Sequence, residues 1–199
     1  MNNQYIWQST DLYQLTWQDN VFSTLLSEVS LLRGKLLGRL SMFGFKEQGD
    51  SMLDALTEEI VHSSEIEGER LNRDSVRSSV AQQLGLEYEG LPKADHYIEG
   101  VVQVMLDATQ HFRELLTKER LFGWHTALFP AGHSGMYEIT VGDWRKGKEA
   151  MQVVSGAMGR LKVHYEAPPS SEVPERMEQL LAWIADDTLT VDPLIKAAV

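Results

Sequence analysis

Residues 22–40 carry the pattern that most restricts what this chain can become. Phe22, Leu25, Leu26, Val29, Leu32, Leu36, Leu37 and Leu40 recur at the three, four and seven spacing of one helix face. A strand, with its two-residue period, cannot place those residues together. A helix with such a stripe needs an apolar surface to lie against, so the chain is read as packed helices. The stripe is expected to be buried beside the helix that follows it.

The same periodicity continues. A second helix is expected over residues 51–67, with Leu53, Leu56 and Ile60 inward and Ile66 a further candidate. Gly68 is placed to stop it, because glycine readily takes the left-handed conformation beyond a helix end. Asn72 can cap a third helix with Val76, Val80 and Leu84 inward. A fourth spans residues 95–116, with Ile98, Val101, Val102, Met105, Thr109 and Phe112 on its face. Thr117 caps a fifth, with Leu121, His125 and Leu128 on one side. A sixth begins near Val173, with Met177, Leu180, Leu181 and Ile184 inward, and Asp192-Pro193 starts another.

Residues 136–169 read differently. Short runs near Tyr137, Met151 and Leu161, with turns at Gly156 and Gly159, predict a β-hairpin closed by Pro168-Pro169. The aromatic opening segment, residues 5–17, is expected to pack as an arm on the helices that follow. The fold class is mainly α, a helical bundle with one β-hairpin, in a single compact unit.

Charge and composition narrow the function. A net charge of −11 repels phosphate backbones and argues against nucleic acid as the main partner. With no cysteine there is no disulfide, zinc–thiolate site or cysteine nucleophile. The first basic residue is Arg33, no signal-peptide pattern opens the chain, and no apolar run reaches membrane-spanning length. A cytoplasmic protein without a membrane partner is the simplest reading.

Three segments invite chemistry. Gly142-Asp143-Trp144-Arg145-Lys146-Gly147-Lys148 matches most of a phosphate-binding loop, but Glu149 stands where a hydroxyl should hold magnesium, so a basic, glycine-flexed loop is preferred. None of the six histidines forms a metal-ligand pair at helical spacing, and His125 reads as a core histidine. In Ser63-Ser64-Glu65-Ile66-Glu67-Gly68, Ser63 and Glu67 share a helix face. Gly68 leaves Glu67 in the last turn, where an anion opposes the helix dipole and calls for a cation. On spacing alone, a solvated acidic face is the preferred reading.

That segment resembles the inhibitory motif of Fic-family protein adenylyltransferases, [S/T]-x-x-x-E-[G/N]. Trp124-His125-Thr126-Ala127-Leu128-Phe129 resembles the family's helix before its substrate-side flap. Gln152-Val153-Val154-Ser155-Gly156 resembles the flap strand, and His164-Tyr165-Glu166-Ala167-Pro168-Pro169 the turn leaving it. Residues 1–90 would be an N-terminal helical region with its inhibitory helix at 51–67. Residues 91–199 would be the first part of the Fic core, with the flap at 136–169. The signature H-x-F-x-[D/E]-G-N-G-R-x-x-R does not occur, so the chain is expected to stop before it and to be inactive alone.

The resemblance implies that the complete protein transfers AMP from ATP, with Mg2+, to a hydroxyl of a target protein. Ser63, Glu67 and Gly68 would be autoinhibitory, Glu67 pairing with the last arginine of the missing motif. Gln152, Val153, Val154 and Ser155 would align the target. ATP would be held by the missing motif, so no catalytic, cofactor or metal residue is assigned in this chain. Other readings are an antitoxin-like module acting on a Fic chain in trans, a Fic protein that removes AMP, and an unrelated helical scaffold. A homo-oligomer is left open.

Overall fold

In a computed structural model of the chain, which describes residues 5–9, 17–86, 90, 92–157, 159–186, 188 and 191–198, four helices begin where a side chain accepts from a first-turn amide. Asn72 Oδ1 accepts from the Ser75 amide at 2.9 Å, and Asp95 Oδ1 from that of Ile98 at 2.8 Å. Thr117 Oγ1 accepts from Arg120 at 3.2 Å, and Asp192 Oδ1 from Leu194 at 2.8 Å. Such caps satisfy amides that the helix itself leaves unpaired. The helices are α1 (Asp19–Leu40), α2 (Phe45–Ile66), α3 (Arg73–Gln83), α4 (His96–Gln110), α5 (Lys118–Leu128), α6 (Val173–Ala185) and α7 (Pro193–Ala198). Residues 10–16 of the opening segment, and Val199 at the end of the last expected helix, lie outside the described residues.

The fold is mainly helical, 58% helix against 7% strand, so helix packing rather than a sheet builds the core. Among the described residues two antiparallel pairs supply the strands: β1 (His133–Ser134) with β2 (Tyr137–Glu138), and β3 (Gln152–Ser155) with β4 (Lys162–Glu166). The run near Tyr137 therefore pairs back onto His133–Ser134 across the tight turn at Gly135, whose φ is +59°.

By its contacts the chain forms two compact units rather than the expected one. Residues 17–113 and 127–130 make the first; residues 114–126 and 131–199 join the opening segment in the second. In the first, α2, α3 and α4 pack on one another. Leu53, Ile60, Val61, Val76, Val80, Ala81, Ile98, Val102 and Leu106 form its core. Ser75, Ser78 and Ser79 are buried on α3, and Thr57 is fully buried with its hydroxyl donating to the Leu53 carbonyl at 2.6 Å. These small polar residues let the helices approach without leaving a polar atom unsatisfied. Arg73 pairs with Glu58, Nε to Oε1 at 2.8 Å, and Arg77 pairs with Asp54, which fixes the register of α3 against α2.

Three expectations change here. The α1 stripe is not buried: Leu25, Leu32 and Leu36 are 57%, 56% and 57% exposed, because no other element covers that face among the described residues. Ile66 is 83% exposed, since α2 has passed its contact with α3 by then. Helix α4 ends at Gln110, leaving Phe112 beyond it and exposed under the Arg113 guanidinium. Leu106, not singled out by pattern, takes the inward place.

The second unit has no fully buried apolar side chain among its described residues. The Phe122 and Trp144 rings meet edge to face at 4.7 Å. Trp7 donates its indole N–H to the Glu166 carbonyl at 2.6 Å, and Arg176 lies 5.1 Å above the same ring. Arg176 also donates to the Trp7 carbonyl at 3.0 Å and pairs with Glu172 at 2.8 Å. The start of the opening segment thus docks on β4 and α6, not on the helices that follow it. The Glu166 carbonyl and the Arg176 guanidinium at that place offer what an aromatic arm needs.

Gly100 on α4 sits where a Cβ would lie 2.0 Å from the Ala127 carbonyl oxygen, whereas a Cβ at Gly123 meets nothing within 4 Å. Gly100→Ala is expected to destabilise the first unit by roughly 2 kcal/mol or more, through forced backbone shifts. Gly123→Ala is expected to stabilise by about 0.5–1 kcal/mol. Urea unfolding of the three proteins followed by circular dichroism checks both signs.

Candidate functional site

The end of α2 is defined by a complete left-handed cap. Gly68 has φ +86°. Its amide donates to the Glu65 carbonyl at 3.0 Å, and the Glu69 amide reaches back to that of Ser64 at 2.9 Å. These two bonds are the paired closure of a Schellman motif. They hold Glu67 as the C-cap residue, with φ −81° and ψ 0°.

Glu67 is exposed, and its carboxylate makes no hydrogen bond or ion pair among the described residues. The cation that its place at the helix end calls for is not supplied. Arg73 is engaged by Glu58. The His62 ring lies between Glu58 at 3.4 Å and Glu65 at 3.2 Å. Ser63 Oγ donates to Glu59 Oε1 at 3.2 Å, so Ser63 turns to the preceding turn and no hydrogen bond joins it to Glu67. The start of α4 lies close by: burial, and then the Glu69 and Asp95 carboxylates, push the Tyr97 phenol above its usual value. The result is an acidic helix end on a rigid base, with a free carboxylate at its tip.

The second candidate is the β3–β4 hairpin. Gln152, Val153, Val154 and Ser155 are all exposed. Strand β3 pairs only with β4, so its outer edge has no strand partner among the described residues. An exposed edge of this kind offers unpaired amides and carbonyls to an extended peptide. The opposite strand is tied down at its end by the Trp7–Glu166 bond and by Tyr5, whose ring meets Tyr165 edge to face at 5.4 Å.

The hairpin carries a bulge that the sequence pattern did not disclose. Val153 faces Tyr165 and Val154 faces Val163, so His164 is the extra residue on β4. Ser155 Oγ and His164 Nε2 are 2.6 Å apart, and Gln152 Nε2 donates to Glu166 Oε2 at 2.7 Å. These two cross-strand bonds bracket the edge strand and stiffen it.

The loop at residues 142–148 does not fit a triphosphate. Asp143 lies inside it, paired with Lys146 at 2.6 Å and accepting from the Trp144 amide at 2.7 Å. Arg145 donates to the Pro168 carbonyl, and no helix follows the loop. Among the described residues there is also no group of three or more His, Asp or Glu side chains that could hold a metal. His125, read as a core histidine, is half-buried on a helix with no fully buried residue.

Two measurements follow from these contacts. Gly68→Ala is expected to lower stability by roughly 1–2 kcal/mol, because a Cβ is strained at that φ. Glu67→Gln is expected to be neutral or stabilising by up to about 1 kcal/mol, since an anion there opposes the dipole. Urea unfolding distinguishes the two. The Lys146 ammonium, and then the Trp144 amide, hold the Asp143 carboxyl below its usual 3.8. A depressed folded value means the loop order it supplies is full above that pH and is lost as pH falls through the lower folded value. The Trp144 amide resonance should stay fixed at neutral pH and move only below 3.8, and Asp143→Asn should abolish the transition.

Residues 5–86, fewer than half of the chain, match the family model of a domain of unknown function (DUF4172). None of the curated proteins compared with the chain matches it. The matched span covers α1, α2 and α3, including Ser63, Glu67 and Gly68, and ends before the hairpin.

Proposed function

We propose that this chain is the regulatory and target-side part of a Fic-type protein adenylyltransferase, with the end of α2 as its inhibitory element. The observation that carries the reading is the unpartnered Glu67 carboxylate, held by a left-handed cap at the tip of a packed helix. A surface acid has no need of so fixed a mounting. A carboxylate that must occupy an arginine does, because a bidentate arginine–carboxylate pair depends on orientation.

In this reading Glu67 takes the arginine that would otherwise clamp the γ-phosphate of ATP, so productive binding is blocked. Arg73, Arg77 and the α2–α3 core keep the carboxylate in place. Ser63 acts through Glu59, steadying the preceding turn. The outer edge of β3 aligns an extended segment of the target by main-chain pairing, which demands little of its sequence. The base, the phosphate-binding loop and the magnesium ligand belong to a signature that this sequence lacks.

A second reading is supported by the division into units. The unit that carries Glu67 has its own buried core, as a module inhibiting a separate Fic chain would require. The two readings differ in whether Glu67 works from within the same polypeptide.

The chain, alone and joined to a segment bearing the Fic signature, is incubated with labelled ATP and Mg2+, with Glu67 intact or as Glu67→Gly. Only the joined Glu67→Gly protein is expected to label itself or a target, by about tenfold or more over the intact form. Equal labelling with either residue would reduce Glu67 to a surface acid. Inhibition on adding the chain as a separate molecule would favour the module reading.

A further inference from the structure

Helix α1 presents an apolar face that no other described element covers, and its charges say what does. Phe22, Val29 and Leu36 are seven residues apart, as are Leu25, Leu32 and Arg39, and the two series interleave at the three-four spacing of a coiled-coil seam. The five apolar members are all exposed. Glu28, Arg33, Lys35 and Arg39 flank or end the seam, are exposed, and make no ion pair among the described residues.

We propose that α1 is a self-association surface and that its occupant is α1 of a second copy of this chain, running antiparallel. With the crossing point between Ser30 and Leu31, Val29 of one copy lies opposite Leu32 of the other, and Leu25 opposite Leu36. Phe22 meets Arg39, whose guanidinium can cover the ring. On the flank, Glu28 falls beside Lys35 of the second copy, and the two-fold axis makes that ion pair twice. A parallel pair would instead set Arg39 against Arg39 within the seam, with like charges facing one another. Charge complementarity therefore selects both the partner and its direction.

The test is sedimentation equilibrium on the 199-residue chain and four variants, each first checked for unchanged helix content. The unaltered chain is expected at twice the 22.5 kDa of one chain. Leu32→Glu, on an exposed position, should give a monomer. Glu28→Lys should raise the dissociation constant about tenfold, by replacing two attractive pairs with repulsive ones. Adding Lys35→Glu to Glu28→Lys should restore the dimer, whereas adding Arg33→Glu should not. A monomer at about 100 μM chain, or a dimer indifferent to Leu32→Glu, overturns the proposal. Rescue by Arg33→Glu in place of Lys35→Glu overturns the antiparallel direction, since only a parallel pair brings residues 28 and 33 together.

Discussion

The contact between α2 and α3 holds the first unit together. Ile60, Val76 and Val80 are fully excluded from solvent, and Thr57 sits among them with its hydroxyl satisfied within its own helix. Buried serines on α3 bring the two backbones close. The connection between the helices must then turn within residues 67–72, and only a left-handed residue at Gly68 completes that turn. The position of Glu67 is thus a consequence of packing several residues away. A carboxylate in so unfavourable a place at a helix end persists because the core behind it supplies the stability that it does not.

The second unit is built on other terms. Its contacts are aromatic rings, arginine faces and hydrogen bonds to main-chain carbonyls rather than a buried aliphatic core. Such contacts are directional, and they hold β4 while β3 stays open. The outer edge of β3 has no strand partner among the described residues, and the strand is braced from one side by the bulge, the Ser155–His164 bond and the Gln152–Glu166 bond.

Much of the helical layout was legible in the residues. Asn72, Asp95, Thr117 and Asp192 each bond an amide two or three residues on, so a cap can be read within a single turn. The Gly68 stop is equally local. The inward faces of α2, α3 and α4 were read largely correctly because each stripe meets a neighbour close in the chain. Ile66 and Phe112 were misread because periodicity reports which side a residue lies on and not where the neighbouring helix ends. At the hairpin, the strands were visible, but the bulge at His164 was not, since an extra residue on one strand shows only against the register of its partner.

Short-range chemistry therefore belongs to the sequence alone: helix starts and stops, the glycine turn, the place of Glu67 in the last turn, and the apolar seam of α1. The tertiary structure decided what each surface meets. It left the α1 seam open, paired Tyr137 with Ser134, and carried Trp7 to Glu166 and Arg176, which lie 159 and 169 residues away. It also turned Ser63 towards Glu59 and left Glu67 unpartnered. The physical reason is range. A cap or a turn is settled by groups a few bonds apart, whereas burial and pairing depend on surfaces that meet only after the whole chain has closed its loops.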